Sequence, residues 1–227
     1  IMDYVSATSA GDAFDIFAET EDGHFVDGTA WGGSGYLNVL SGVEWMVEVE
    51  LNDGSNYFSI VCDSSPNFDS DCTITPTVSG PNDLFYTAFP ITATIDVTVE
   101  DEYGQPAEGV LAAVNRMYDE YADPILNTLG NGKYSDPSGF ASVGVMEGDW
   151  GVSLCTSCHV NKVNDVEVEL VPGLNTQVTT YYNSVTSVTM TTYYADGVIE
   201  GYVYDSENNP VPYVRVNAQS WNAENNM

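Results

Sequence analysis

The residues with the clearest chemical potential form the segment SLCTSCHVNK, in which Cys155 and Cys158 are two residues apart and His159 follows at once. This Cys-x-x-Cys-His pattern is typical of covalent c-type haem attachment, where both sulfurs form thioether bonds and the histidine is an axial ligand. The sixth ligand would then come from His24, from a methionine such as Met146, or from a neighbouring molecule. An exported c-type haem protein is therefore one functional hypothesis.

The four cysteines also support an interpretation as two disulfides. Cys62 and Cys72 lie ten positions apart in the first half of the chain, with no histidine following, and the Cys-x-x-Cys pair lies in the second half. We favour this interpretation, in which Cys62 joins Cys72 and Cys155 joins Cys158, each across the loop after a tryptophan-led strand. A thioredoxin-like redox pair would need a βαβ context, and the first spacing does not fit a zinc knuckle.

Clusters of acidic residues form the second group that could bind a ligand. Ca²⁺ takes roughly six to eight oxygen ligands, and loops with several carboxylates supply them. None of the clusters has EF-hand spacing, and no two acids stand out as a glycosidase pair. The charge of the chain nevertheless predicts that at least one cluster binds a divalent cation, with calcium as the candidate cofactor. The candidate ligands are Asp63, Asp69 and Asp71, then Asp119, Glu120 and Asp123; Glu19, Glu21, Asp22 and Asp27 form a further cluster.

The overall charge excludes several classes of partner. The 227 residues include 34 Asp and Glu but only 4 Lys and Arg, which gives a formal net charge of -30 at pH 7. Nucleic acids and anionic membrane surfaces require clustered basic residues, so neither is expected as a partner. Hydrophobic residues make up 43% of the chain, which indicates a folded protein and not an acidic disordered tail. No segment approaches the roughly 20 apolar residues of a membrane span, so membrane insertion is not expected.

Cysteine usage and composition predict where the protein is located. Four cysteines, few lysines, and many Thr, Tyr, Asn and Ser residues are typical of an exported chain. An extracellular or cell-surface location is therefore expected. Because the sequence starts at Ile1, we expect a processed product or an internal window of a longer chain.

The pattern of apolar residues is typical of β-strands throughout. In EWMVEVEL, Trp45, Val47, Val49 and Leu51 alternate with Met46 and two glutamates, and DVEVELV and TATIDVTVED alternate in the same way. A period of two with an acidic face predicts strands that pack on a core on one side and face water on the other. Turn clusters such as NDGS, GNGK and DPSG separate these runs. The one helical candidate, NRMYDEYADPILNTL, is interrupted by Pro124, so the predicted fold class is all-β.

Two pairs of segments recur at a spacing of about one hundred residues. Ile95 begins IDVTVEDEYGQPAEGVLAAVN, and Ile199, 104 positions later, begins IEGYVYDSENNPVPYVRVNAQ. SGYLNVLSGVEWMVEV likewise matches SGFASVGVMEGDWGVSL, and each contains a strand led by a tryptophan, Trp45 or Trp150. This is the size of an immunoglobulin-like sandwich, so the fold is predicted as tandem β-sandwich repeats.

The repeat positions predict three segments. Residues 1–91 form a sandwich that lacks its first strands, residues 92–195 form a complete sandwich, and residues 196–227 supply the first strands of a further repeat. Turn chemistry supports the match, because Gly104 and Asn208 can each take positive φ and Pro106 and Pro210 cannot extend the preceding ladder.

These features resemble the carboxypeptidase regulatory-like domain, a transthyretin-like sandwich related to bacterial immunoglobulin-like surface modules. The resemblance rests on a strand, an Asp-x-x-Gly-x-Pro turn, a valine-rich strand, and later Ser-Gly-aromatic and Gly-x-Trp motifs. It covers Thr92 to about Thr180 fully and the rest of the chain in part. It implies a non-catalytic module of long secreted or surface chains. The related collagen-adhesin modules carry a Lys–Asn isopeptide bond, but ATIDVTVED and GVIEGYVYD contain no lysine, so that crosslink is not expected.

The favoured function is therefore a structural module of an extracellular filament, adhesin or surface layer. An incomplete sandwich recruits strands from a neighbour, so copies of the chain are expected to join head to tail. Val203, Val214 and Val216 would then be buried against the 1–90 segment of the next copy. The alternatives are the exported c-type haem protein and a carbohydrate-binding accessory module, for which exposed Tyr and Trp side chains would form the platform.

Overall fold

The computed structural model describes residues 2–3, 14–52, 55–65, 71–79, 82–197, 201–212 and 214. The chain divides into two compact units, residues 1–194 and residues 195–227, which are described separately below. The all-β prediction is confirmed, since the described residues form many strands and a single 3-10 helix of five residues. The predicted tandem repeat and its three segments stay predictions.

The first sandwich of unit 1 is built from residues 2–90. Its strands form one sheet of order β3-β2-β4-β6, antiparallel throughout, and a second sheet of order β1-β7-β5. Phe14 and Val49 from the first sheet meet Ile60 and Ala88 from the second in a shared core, as expected from strand alternation. The strands are β1 (Met2–Asp3), β2 (Phe14–Glu19), β3 (Phe25–Ala30), β4 (Trp45–Leu51), β5 (Tyr57–Cys62), β6 (Asp71–Ile74) and β7 (Tyr86–Pro90).

The second sandwich of unit 1 contains residues 93–194. Two four-stranded sheets, of order β11-β10-β13-β17 and β12-β8-β18-β16, enclose its core, and a small sheet β15-β14-β9 lies beside them. The strands are β8 (Ala93–Glu100), β9 (Ala107–Glu108), β10 (Leu111–Arg116), β11 (Gly130–Tyr134), β12 (Phe140–Val145), β13 (Gly148–Cys155), β14 (Asn161–Val163), β15 (Val166–Val168), β16 (Leu170–Pro172), β17 (Thr176–Thr180) and β18 (Val185–Tyr194).

The predicted alternation is correct for β8 and wrong for part of DVEVELV. In β8, Ile95, Val97 and Val99 are fully buried between the sheets. The second segment forms two short strands, β15 and β16, in which Val166 is exposed and Leu170 is buried. Because the two strands belong to different sheets, one continuous face cannot be kept.

The sheet of β5 and β7 is buried on both faces. Ile60 and Ala88 face the first core, whereas Val61 and Phe89 belong to the second core. Phe58 also contacts the edge of the Trp150 ring, with ring centroids 5.8 Å apart. Among the described strands, none before residue 91 pairs with one after residue 92. The second hydrophobic core nevertheless contains side chains from both sides of this point.

The two tryptophan-led strands share an anchoring hydrogen bond. The indole N–H of Trp45 donates to the carbonyl oxygen of Leu40 at 3.1 Å, and that of Trp150 donates to Met146 at 3.0 Å. Both indoles are buried, so each N–H needs an acceptor, and the chain just before the strand provides it. The sheets that contain these strands also have the same strand order and the same antiparallel directions.

The Asp-x-x-Gly turns have one geometry at two places in unit 1. The Asp101 carboxylate accepts the backbone N–H groups of Tyr103 and Gln105 at 2.9 and 2.8 Å. In DPSGF the Asp136 carboxylate accepts those of residues 138 and 140 in the same manner. These bonds hold the pKa of Asp136 below its usual range, chiefly through the Ser138 hydroxyl. Gly104 and Gly139 have φ of +76° and +74°, a region that favours glycine.

Unit 2 repeats this turn. The Asp205 carboxylate accepts the backbone N–H groups of Glu207 and Asn209 at 2.9 and 2.8 Å, and these bonds lower its pKa. Asn208 has φ of +67° at the position that corresponds to Gly104. The predicted positive φ is therefore confirmed at both residues. Tyr204 and Pro210 form a bridge across the turn, as Glu100 and Pro106 do in unit 1.

The one helical candidate of the sequence forms the end of β10, a loop and one short 3-10 helix, Pro124–Thr128. Pro124 does not interrupt this helix but begins it. The first residue of a helix does not use its N–H in a helical hydrogen bond, so the N–H that proline lacks is not missed there. The Asp123 carboxylate caps it by accepting the N–H of Ile125 at 3.2 Å.

Candidate functional site

The Cys-x-x-Cys-His segment forms the turn between β13 and β14. Cys155 is the last residue of β13, and it is joined to Cys158 by a disulfide with the two Cα atoms 5.6 Å apart. The disulfide interpretation of this pair therefore agrees with the structure. In this form both sulfurs are bonded to each other, so thioether attachment of a haem would first require reduction.

The residues after the disulfide pack against β11 and the β9–β10 connection. The rings of His159 and Tyr134 are 5.3 Å apart, and the Tyr134 hydroxyl donates to the carbonyl of Cys158 at 3.4 Å. Gly109 lies against the backbone of residue 160 with φ of +79°, where a side chain would clash. The buried Asn161 amide donates to the Thr156 carbonyl at 2.6 Å, which closes the turn.

Met146, named as one possible sixth haem ligand, lies far from the Cys-x-x-Cys-His segment. Met146 is buried in the second core just before β13, whereas Cys155 is at the other end of this strand. A strand of this length spans roughly 23 Å at about 3.3 Å per residue, which is too far for a shared iron. His24 is exposed in the turn between β2 and β3. The haem hypothesis itself stays a prediction.

The second disulfide lies one strand later than predicted. Cys62 ends β5 and Cys72 lies in β6, with the Cα atoms 5.9 Å apart. The pairing agrees with the prediction, but the loop directly after Trp45 and β4 is not bridged. Because β5 and β6 belong to different sheets, this disulfide links the two layers of the first sandwich.

The described residues of the acidic clusters lie partly in strands and partly in turns: Asp71, Glu19 and Asp27 lie in β6, β2 and β3, whereas Asp63 and Asp119 lie in turns or loops. The Asp63 carboxylate accepts the hydroxyl of Thr87 at 2.8 Å. Asp119 accepts the N–H of Tyr121 at 2.9 Å and exchanges two further hydrogen bonds with Asn127. Glu120 lines a surface cleft.

Asp69 lies outside the described residues. Within the described ranges, no group of three or more His, Cys, Asp or Glu side chains is placed to hold a metal ion. Calcium binding by these clusters stays a prediction.

The apolar side chains predicted for inter-subunit contact are exposed where they are described. Val203 and Val214 are 41% and 44% exposed in unit 2. Their counterparts 104 positions earlier, Val99 and Val110, are fully buried. Val216 lies outside the described residues.

Sequence reasoning missed a concentration of carboxylates on the outer face of sheet β3-β2-β4-β6. From β2, Asp15 lies beside Glu50 of β4, and Phe17 lies between Asp27 of β3 and Glu48 of β4. Glu19 of β2 lies between Phe25 of β3 and Met46 of β4. On the other side of β4, Glu48 pairs with Asp71 of β6. We call these nine residues the acidic sheet face. The alternating sequence of β4 indicates that one side of this strand is polar. The acids of the other strands lie next to it only because of the pairing register, which the sequence pattern does not give.

Burial and like charge act together on this face. Partial burial of Glu48, followed by the nearby charges of Asp71, Glu50 and Glu19, raises the pKa of its carboxyl. Beneath the same strands, burial raises the pKa of the Tyr86 hydroxyl, which donates to the Val47 carbonyl at 2.9 Å. The face therefore has an excess of negative charge that its own residues do not neutralise.

No protein-family profile matches the chain, and no curated protein sequence matches it either. Within the described residues, no helix has the length and apolar character needed to cross a membrane.

Several solved structures of pilins are similar to the chain at low identity. The minor pilin GBS52 of Streptococcus agalactiae is 14% identical, with 86% of this chain and 87% of that chain covered and a TM-score of 0.32. The major pilin subunit BcpA of Bacillus cereus is 10% identical over 81% and 60%, with a TM-score of 0.34. The group B streptococcus pilus 2b backbone protein is 11% identical over 83% and 81%, with a TM-score of 0.31. At these scores the likeness carries no argument about function.

Proposed function

We propose that the chain is a non-catalytic structural module of an extracellular filament, adhesin or surface layer, in which copies join head to tail. The observation that carries this proposal is the difference in burial between two copies of one turn. The turns at Asp101 and Asp205 have the same backbone hydrogen bonds, yet the apolar residues that flank the first turn are buried and those described beside the second are exposed.

The positions that differ are all apolar. Val203, Val211 and Val214 are about 40% exposed, whereas the residues 104 positions before each of them are fully buried. An apolar strand face of this kind gains stability when further strands cover it. We propose that the covering strands belong to the first sandwich of another copy.

Repetition of the architecture is consistent with this role. The sheets β3-β2-β4-β6 and β11-β10-β13-β17 have the same strand order, and a tryptophan indole anchors a central strand in each. Two disulfides add covalent links suited to an oxidising exterior. Sandwiches connected in series form extended structures, because each contacts only its neighbours.

Sedimentation analysis tests the head-to-tail assembly. The chain should form a concentration-dependent series of oligomers, and the double variant Val203→Asp, Val214→Asp should remain monomeric because it buries two charges in the contact. Glu207→Gln, in the exposed turn, is the matched control and should assemble normally. A wild-type chain that stays monomeric at every concentration, or a double variant that assembles equally well, would overturn the proposal.

A further inference from the structure

The acidic sheet face also carries apolar side chains that nothing in the described structure covers. Phe25 is 58% exposed and Met46 is 39% exposed, although both lie within regular strands. The Phe17 and Phe25 rings stack with centroids 6.0 Å apart. Together with Glu19, Glu48 and Glu50, these three apolar side chains line a cleft of about 280 Å³. Its volume is sufficient for one large side chain of a partner.

The outer face of the neighbouring sandwich is different. Most outward positions of the sheet β12-β8-β18 carry hydroxyl side chains such as Thr94, Thr98 and Ser142, and one of its acids, Asp96, accepts a hydrogen bond from Ser142 at 2.7 Å. Its exposed apolar side chains, Phe140 and Val185, lie on opposite sides of β8 and form no cluster. A contiguous group of exposed aromatic and methionine side chains, in contrast, marks a surface that binds a partner.

The charge pattern identifies the chemistry of that partner. Asp15, Glu19, Asp27, Glu48, Glu50 and Asp71 surround the three apolar side chains. In the sequence no Lys or Arg occurs before Arg116, so the first sandwich contains no Lys or Arg side chain of its own to neutralise them. Burial, and after it the charges of Asp71, Glu50 and Glu19, raise the pKa of Glu48, and a partner with Lys or Arg would relieve this repulsion between carboxylates.

A second copy of the chain does not meet this requirement. It has only 4 basic residues, and two of them are engaged in unit 1. Arg116 donates to the Glu147 carbonyl at 2.6 Å and lies over the Trp150 ring, and Lys162 is 3.9 Å from Glu108. At most two Lys or Arg side chains of a second copy remain to face six carboxylates, so a more basic molecule matches this face better.

We propose that the acidic sheet face is a docking surface for a basic, amphipathic segment of another protein. One apolar side chain of that segment fills the cleft formed by Phe17, Phe25 and Met46. Its Lys or Arg side chains reach the surrounding carboxylates, with their aliphatic stems against the phenyl rings. This surface is separate from the exposed valines of unit 2, so it does not depend on head-to-tail assembly.

Fluorescence anisotropy with a labelled peptide of alternating lysine and leucine tests the proposal. The double variant Glu48→Gln, Glu50→Gln should weaken binding about tenfold, as expected for the loss of two charge contacts. Phe25→Thr, Met46→Thr should weaken it by a similar factor, and threonine keeps the strand propensity of β3 and β4. Glu167→Gln, Glu169→Gln removes two exposed charges elsewhere and should bind as the wild type does. Unchanged melting temperatures would show that each variant is folded.

Two results would overturn the proposal. Equal binding by the wild type and the Phe25→Thr, Met46→Thr variant would show that the cleft takes no apolar side chain. Displacement of the peptide by Ca²⁺, but not by Na⁺ at the same ionic strength, would assign the carboxylates to a cation instead. Weaker binding in both face variants, combined with normal binding in the control, supports the docking surface.

Discussion

Replacement of Glu48 by glutamine should stabilise the protein at neutral pH. Glu48 is directly opposite Asp71, and Glu50 and Glu19 lie nearby on the same face. Two like charges about 6 Å apart repel each other by about 0.7 kcal/mol in water, and opposed like charges in sheets cost roughly 0.2–1 kcal/mol. Because three acids contribute and solvent screens each, we expect Glu48→Gln to raise the free energy of unfolding by about 1 kcal/mol.

The difference in unfolding free energy between Glu48→Gln and the wild type should depend on pH in a direction that can be checked. Since folding raises the pKa of Glu48, the folded state holds its proton more tightly than the unfolded state does. The wild type therefore gains stability as the pH falls through the raised pKa, and the gain is complete below the ordinary glutamate pKa of about 4.3. The advantage of Glu48→Gln should be full at pH 7 and absent in the acid range.

Urea denaturation in dilute buffer is the appropriate assay, because guanidinium chloride would itself screen the charges. The advantage should shrink in 1 M NaCl, where the Debye length is about 3 Å. Glu167→Gln, on the exposed strand β15, is the control and should change stability far less. A Glu48→Gln variant that is no more stable than the wild type at pH 7 and low salt would refute the reasoning.

Three further predictions concern the turns, the disulfides and bound cations. Asp101→Ala should lower the free energy of unfolding by about 2–4 kcal/mol in urea melts, because two backbone N–H groups and the Tyr194 hydroxyl lose a buried acceptor. Asp205→Ala, in an exposed turn, should change it by less than about 1 kcal/mol, and equal losses would contradict this account. Peptide mapping without reductant should recover the Cys155–Cys158 peptide as a disulfide, and a haem mass on that peptide would refute the assignment. If the acidic loops bind calcium, excess chelator at constant ionic strength should lower the melting temperature; an unchanged melt would count against bound calcium.

The parts of the fold that sequence reasoning predicts correctly are those set by nearby residues. Alternation in β8 identifies its buried face because each apolar residue lies two positions from the next. The Asp-x-x-Gly pattern predicts the turn at Asp101 because the carboxylate, the N–H groups and the positive φ all lie within five positions. The cysteine pairs follow from their presence in each half of the chain.

What sequence reasoning misses depends on residues that are distant along the chain. The run YFSIVC in β5 is buried on both faces because the second core, with Trp150, covers the side that would otherwise face water. The acidic sheet face requires the register of β2, β3, β4 and β6, which no local pattern contains. Closeness in sequence therefore points mainly to loops such as the one at Asp119, where the carboxylate caps a turn, and includes only Glu19, Asp27 and Asp71 of this face.

The two Asp turns also indicate what the neighbour that we propose for unit 2 would have to supply. Around Asp101, the completed sandwich provides a hydroxyl from Tyr194 at 3.0 Å to the second carboxylate oxygen, and desolvation with this hydrogen bond raises the pKa of that tyrosine. At Asp205 the second carboxylate oxygen instead accepts a hydrogen bond from the side-chain amide of Asn209, a residue of the turn itself, at 3.1 Å. The local turn thus forms in both places, whereas the valines that flank it are buried only at Asp101. Covering Val203 and Val214 would require an apolar strand face, but because Asn209 already donates to Asp205, the covering strand would need no hydroxyl at the turn. Such a strand would contribute the hydrophobic stabilisation that the turn alone cannot provide.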